Sequence, residues 1–271
     1  MSNLNRTIRP KKSLGQHFLH DGNILRKIAA LVAPAPQETI IEIGPGLGAL
    51  TRLLVGECRL IGMEIDQRAI EGLKQEFGAD AEILHGDIRE FDLSTLSGSL
   101  PVRIVGNIPY NITSDILFWL FEHRTSITDG TLMMQAEVAD RLIARPRTKQ
   151  YGILSVCTQV YGVPSKAFAV SRRCFTPVPE VDSNVVQIRL TEGPSASIDP
   201  IFRRLVRGLF GKRRKTIRNG LRHMGLDDTA LDLAQEHLTK RPEELEPQEF
   251  VALAQRFFDH GQAGIPASPT I

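Results

Sequence analysis

Cysteine is scarce in this chain and carries no pattern. Cys58, Cys157 and Cys174 are odd in number, widely spaced and form no C-x-x-C pair. That speaks against a disulfide framework and a zinc site, and for a reducing cytoplasm. No apolar run approaches ~20 residues, so nothing is expected to span a membrane. Met1–Lys12 is basic and polar, without the apolar segment of a secretory signal. Internal repeats and long low-complexity tracts are absent. No charge sign dominates either: 33 Lys and Arg stand against 31 Asp and Glu, a net +2, so net charge alone names no partner. What remains is 271 residues that are 42% apolar, enough for a sizeable core in one or two domains.

The chain is organised around Arg103–Tyr110, Arg-Ile-Val-Gly-Asn-Ile-Pro-Tyr. Val102, Ile104 and Val105 read as a buried strand. Pro109 has no N–H and cannot continue a central ladder, so the strand ends there. In an open α/β sheet that carboxyl edge is where ligands sit. A planar base can stack on Tyr110 while its exocyclic amine gives its two hydrogens to the Asn107 carboxamide oxygen and the Pro109 carbonyl. A strand-ending turn with Tyr110 as core filler explains the same four residues equally well.

Upstream, Thr39–Ile43 reads as a buried parallel strand running into Gly44-Pro45-Gly46-Leu47-Gly48 and then a helix over 49–55. The glycines fall as G-x-G-x-G, not the dinucleotide G-x-G-x-x-G, and Pro45 removes an N–H from any phosphate nest. The mouth is acidic. Glu42 ends the first strand, and Glu64 ends a second over 60–66. Asp87 follows a third over 82–85. Glu64 lies ~20 residues past the first glycine, the interval at which a carboxylate takes ribose hydroxyls. Asp87 can accept from an adenine amine while Ile88 covers a ring face. A pyrophosphate would be repelled here. S-adenosylmethionine has a sulfonium, a ribose and an adenine but no phosphate, and it fits.

The N-terminal arm carries Arg6, Arg9, Lys11 and Lys12, and its first ten residues read as a frayed, solvated end. Gln16–Leu19 can fold over a cofactor as a lid, with His17 as a hydrogen-bonding lid residue rather than a metal ligand. A helix over 24–32 follows and stops at Pro34 and Pro36.

Gln16-His17-Phe18-Leu19, Glu42-Ile-Gly-Pro-Gly-Leu-Gly48, Glu64-Ile-Asp66, Gly86-Asp87 and Asn107-Ile-Pro-Tyr110 together closely resemble the ribosomal RNA adenine N6-dimethyltransferases. The resemblance implies the α/β fold of the class I methyltransferases: a Rossmann-like, mostly parallel seven-stranded sheet with a small all-helical C-terminal domain. It implies cofactor contacts from His17, Leu19, Gly44, Gly46, Glu64, Asp87, Ile88 and Asn107, and a stacking role for Tyr110. In that family an element like Phe175-Thr-Pro-Val-Pro-Glu-Val-Asp-Ser183 lies against the target base. This makes Phe175 a second stacking candidate, with core packing as its rival.

Between these motifs, helices are expected over 113–121, with Trp119 in the core, and over 137–143. Strands are expected over 130–135, 151–155 and 185–190. Arg145–Gln150 is a basic loop whose Arg147 and Lys149 are candidate RNA contacts; a solvated turn is the alternative. Residues 1–192 are read as the methyltransferase domain and 193–271 as a helical docking domain, joined at Gly193–Ser197. The second domain opens with nine Lys and Arg and no acid between Arg203 and Arg222, a candidate phosphate-contacting face. Lys212, Arg213, Arg214, Lys215 and Arg218 are its named contacts. Helices are expected over 201–210, from 212 onward, over 231–238 and over 250–257, then a disordered tail from Gly261.

The Arg213-Arg-Lys-Thr-Ile-Arg-Asn219 run is similar to the branch that dimethylates two adjacent adenines near the 3′ end of small-subunit (16S) rRNA. The implied partner is 16S rRNA in the small (30S) subunit, met by a monomer without metal or membrane. The branch acting on large-subunit rRNA and a non-catalytic ribosome-assembly or transcription factor are the alternatives.

Overall fold

The computed structural model describes residues 8–11, 14–96 and 100–261. Arg6, Lys12 and the tail beyond Gly261 lie outside these. The chain divides into two compact units. The first takes the described residues up to Ala139 together with Pro164–Leu190; the second takes Asp140–Val163 together with the described residues from Thr191 onward. The sequence boundary at 192/193 missed the 140–163 segment, which packs with the helical part of the chain.

The first unit is built on one sheet. Its parallel part comprises β2 (Thr39–Ile43), β3 (Arg59–Glu64), β4 (Ala81–His85), β5 (Val102–Asn107) and β6 (Ile127–Gln135). β7 (Gly162–Val170) and β9 (Ser183–Leu190) complete the seven-stranded order β4-β3-β2-β5-β6-β9-β7, with β9 antiparallel to β6. Strands buried on both faces read as apolar runs, and the central ones do: Ile40, Ile41, Ile61, Ile104 and Val105 are buried. α1 (Gly22–Val32), α2 (Thr51–Leu54), α3 (Gln67–Phe77) and α4 (Thr113–Glu122) are the connecting helices of this unit. Asp21 caps α1 through the Asn23 and Ile24 amides, and Asp66 caps α3 through the Arg68 amide. Trp119 lies in the core as expected. A separate two-stranded pair joins β1 (Phe18–Leu19) to β8 (Phe175–Thr176), with Leu19 opposite Phe175. The proline-rich stretch that starts at Phe175 thus begins with a paired strand.

The registers set up the site. Ile43 lies opposite both Met63 and Gly106, and Glu64 lies opposite His85. The carboxyl ends of β2, β3, β4 and β5 therefore finish level. The strand order also reverses between β2 and β5, the position where open α/β sheets bind ligands.

The second unit is helical, and it corrects one expectation outright. Residues 151–155 do not restart a strand. The expected 137–143 helix is α5 (Ala136–Leu142), and Ile153–Tyr161 is a further helix, α6, that buries Val156, Cys157, Val160 and Tyr161 at helical spacing. Ser155 explains the start: its hydroxyl accepts from the Gly152 amide and donates to the Arg141 carbonyl. α7 (Asp199–Phe210) buries Ile201, Phe202, Leu205, Val206 and Leu209, and α10 (Pro247–Asp259) buries Phe250, Leu253 and Phe257. Lys212–Lys215 is a turn rather than the start of a helix; α8 begins only at Ile217, whose amide donates to the Lys240 carbonyl. The expected 231–238 helix is a helix over Asp228–Leu233, α9, followed by a short 3₁₀ turn. No helix of the described residues is long and apolar enough to cross a membrane.

Candidate active site

A cavity opens over the level carboxyl edges of β2 to β5, roofed by the 14–19 segment. Its floor begins with the glycine turn. Gly44 and Gly46 have φ of +64° and +57°, the left-handed region that glycine enters without steric cost. A Cβ on Gly46 would stand 3.0 Å from the Phe18 ring, so this glycine also lets the roof approach the floor. Glu64 closes the back of the turn. Its Oε2 accepts from the Gly46 amide at 3.0 Å, and its Oε1 accepts from the Ile65 and Asp66 amides at 2.9 Å. Burial nevertheless raises its pKa, against the pull of those three donors. Glu42 is buried beside it and takes one hydrogen bond, from the Thr51 hydroxyl at 2.7 Å. Burial pushes its pKa up to about 7. Asp87 lies at the rim with its carboxylate paired to Arg89, which holds its pKa below the ordinary range.

The roof is tied down at several points. The Gln16 amide donates to Asp66 at 3.0 Å and accepts from the Lys11 amide at 2.8 Å. The His17 ring nitrogen Nδ1 lies 2.8 Å from the Pro177 carbonyl. Asn107 reaches up from the end of β5, and its Nδ2 donates to the His17 carbonyl at 2.9 Å. Its Oδ1, the atom assigned to the adenine amine, accepts nothing among the described residues, and Asn107 is one of the residues that line the cavity. Tyr110 stands beside it, its hydroxyl 2.8 Å from the Ser183 hydroxyl and its ring stacked on His17, centroids 5.6 Å apart at 23°.

Two expected roles are not realised in this geometry. The Pro109 carbonyl is turned into the following helix, accepting from the Ile112 amide at 3.2 Å and the Thr113 hydroxyl at 3.1 Å. Both its lone pairs are engaged. The adjacent Ile108 carbonyl takes no hydrogen bond among the described residues, and Ile108 lines the cavity. Phe175 is 1% exposed and packs in the core with Leu19, Val170 and Val185; the ring facing Tyr110 is that of His17. His17, Leu19, Gly44, Gly46, Glu64, Asp87, Ile88, Asn107 and Tyr110 all come together around the cavity.

Gln16, Glu42 and Ser183 are site residues that were not named beforehand as contacts of cofactor or base. Gln16 lay inside a quoted motif and Glu42 at a strand end. Ser183 ended the quoted proline-rich element, but its bond to Tyr110 spans 73 positions and left no local signal.

The donor set discriminates among cofactors. Glu42, Glu64 and Asp87 line the cavity, and no Lys or Arg does among the described residues. A phosphate-bearing cofactor would meet only carboxylates. A sulfonium cofactor with a diol and a base meets acids for its charge, Glu64 for the diol and the Asp87–Ile88 rim for the base. Fold and site together define a class I, S-adenosylmethionine-dependent methyltransferase.

Comparison with known proteins narrows the class. The family model for ribosomal RNA adenine dimethylase matches residues 8–255. The chain is 40% identical over 262 residues to the ribosomal RNA small subunit methyltransferase A of Geobacter metallireducens, covering 92% of this chain and 95% of that protein. It is 42% identical to the protein of the same name from Chlorobium luteolum, over 84% and 85% of the two chains. A dimethyladenosine transferase from Plasmodium falciparum superposes with a TM-score of 0.78 at 26% identity, over 90% of this chain and 98% of that one. The 23S rRNA methyltransferase ErmE gives 0.66 at 28% identity, over 88% and 98%. The chain belongs to the ribosomal RNA adenine dimethylase family and is an enzyme that methylates rRNA adenine from S-adenosylmethionine.

In the second unit the candidate RNA contacts separate into two kinds. Arg147, Lys149, Lys212, Arg214, Lys215 and Arg218 are exposed. Arg213 is instead committed to the protein: Nε to Glu243, Nη1 to the Lys149 carbonyl and Nη2 to the Thr148 carbonyl.

Proposed function

We propose that this enzyme dimethylates N6 of two adjacent adenines near the 3′ end of 16S rRNA, within the small (30S) subunit during its maturation. On this reading it works as a cytoplasmic monomer. The observation that carries the reading is the state of Asn107. Its donor end is fixed by the His17 carbonyl, its acceptor end is left without a partner among the described residues, and it lines the cavity together with Tyr110. The small-subunit assignment is supported by the names of the relatives that match along most of their length.

When bound, S-adenosylmethionine supplies a methyl group on a sulfonium, an electrophile reactive enough to need no general acid. His17, Leu19, Gly44, Gly46, Glu64, Asp87 and Ile88 would hold it. Asn107 Oδ1 takes one hydrogen of the adenine amine, and the Ile108 carbonyl, rather than that of Pro109, takes the other. Two acceptors draw the nitrogen lone pair out of ring conjugation and aim it. Tyr110, steadied by Ser183, supplies the stacking face for an extruded base. Most of the acceleration then comes from positioning and from displacing water around the reacting amine.

The decisive assay is transfer of labelled methyl groups to unmethylated small subunits, with large subunits and naked RNA alongside, followed by nucleoside analysis. Dimethyladenosine appearing only with small-subunit particles is expected. Label on large-subunit RNA would overturn the assignment. Asn107→Ala is expected to abolish turnover while cofactor binding, read by calorimetry, survives in weakened form. Undiminished turnover would remove Asn107 from the chemistry.

A further inference from the structure

The basic block at 212–218 does not act as one undifferentiated surface. Arg213 has its three guanidinium nitrogens on three protein acceptors: Glu243 Oε2 at 2.5 Å, the Lys149 carbonyl at 3.0 Å and the Thr148 carbonyl at 3.0 Å. A planar fork is needed to reach acceptors spread this way; an ammonium cannot do so from one position. Glu243 is engaged twice, since its side chain takes Arg213 and its backbone carbonyl accepts from the Arg147 amide at 2.7 Å. Arg147 sits at φ +66°, a left-handed conformation that a non-glycine residue keeps only when its surroundings impose it. The loop is also pinned at its end, where the Tyr151 hydroxyl donates to the Leu245 carbonyl at 2.8 Å. The side chains carried by this fixed backbone point the other way in exposure: that of Arg147 is 73% exposed, and Lys149 is exposed with it.

We propose that Arg213 is a positioning residue and not a phosphate contact. With Glu243 it clips the 145–150 loop to the 212–215 turn, so that Arg147 and Lys149 stand with Lys212, Arg214 and Lys215 as one phosphate-binding surface. The proposal rests on the reading that this unit docks on RNA. It has an unusual consequence, because an acidic residue, Glu243, supports the binding of a polyanion.

The test is binding of Glu243→Gln, Arg213→Lys and Arg213→Gln proteins to unmethylated small subunits across a salt series, with limited trypsin digestion of each free protein. Removing a negative charge from a simple basic surface strengthens RNA binding. The clip requires the opposite: Glu243→Gln weakens binding about tenfold and lowers the log–log salt slope by about two contacts. Arg213→Lys, which keeps the charge, is expected to lose nearly as much as Arg213→Gln. Cleavage after Arg147 and Lys149 should rise in all three. Tighter binding by Glu243→Gln, with Arg213→Lys behaving as the parent protein, would make Arg213 a direct contact and overturn the clip. Unchanged trypsin cleavage would overturn it independently of RNA. Salt-independent binding by the parent protein would instead sink the docking reading itself.

Discussion

Glu42 shows how much one buried carboxyl can govern. Its pKa of about 7 lies above its ordinary 4.5, because burial disfavours the charged form. The folded chain therefore holds a proton that the unfolded chain releases across that interval. The stability this group contributes is complete below pH 4.5 or so and is lost as the pH rises through about 7. Glu64, raised in the same direction, adds to the trend. Glu42→Gln keeps a neutral acceptor for Thr51 and removes the ionisation. Thermal unfolding of this variant should fall off less steeply with pH than that of the parent between about pH 4.5 and 7, and run parallel to it above that interval. Above pH 7 or so, where Glu42 of the parent is ionised, the variant's affinity for the cationic cofactor should be the lower of the two. Parallel melting curves for the two proteins over the whole pH range would take Glu42 out of the pH dependence.

At the scale of elements, the site depends on a turn and a roof. Gly48 ends the glycine turn at φ +71°, and a Cβ there would stand 2.5 Å from the Phe77 ring and 3.1 Å from Leu73. Gly48→Ala should cost about 2–4 kcal/mol from overpacking and backbone strain together, measured by denaturant unfolding. A loss under 0.5 kcal/mol or so would mean that α3 yields easily, contrary to close packing. The roof is held from below by Asp66, whose side chain is fully buried and meets both Gln16 and Lys11. Gln16→Glu places a second carboxylate against it. Cofactor affinity should weaken roughly tenfold, or about 1.4 kcal/mol, with little change in melting temperature. Equal loss of both would show that the roof belongs to the core and is not specific to the site.

For the molecule as a whole, the cavity and the proposed docking surface fall in different units. The cavity is built from first-unit residues alone, and the exposed Lys and Arg of the second unit make no contribution to it. Replacing Lys212, Arg214 and Lys215 together by Ala should therefore lower the salt slope of RNA-particle binding by two to three contacts, or about 2–3 in log–log units. Calorimetric affinity for S-adenosylmethionine should stay at the parent value. A changed cofactor affinity would show that the two functions are coupled.

Much of this was legible in the amino-acid sequence. Strand ends were marked by glycines, acids and Asn-Ile-Pro-Tyr, because the carboxyl edge of a parallel sheet is where apolar runs give way to polar groups. The class of cofactor followed from three acids and a missing phosphate nest. Local signals reach only a few residues, and several misreadings involved a long-range partner. Tyr151–Ser155 looked like a strand because its apolar run was too short to show a period; packing of α6 against other helices of its unit made it helical. Phe175 sat in a motif but fills the core, through pairing of β8 with β1. Arg213 carried the same charge as its neighbours, yet Glu243, 30 positions on, engages its guanidinium within the protein. The sequence by itself determined which chemistry could occur here, since that depends on side-chain types at strand ends. Which atoms remain available to perform it was decided by the tertiary structure, because a hydrogen-bonding group serves a substrate only where no distant part of the chain has already satisfied it.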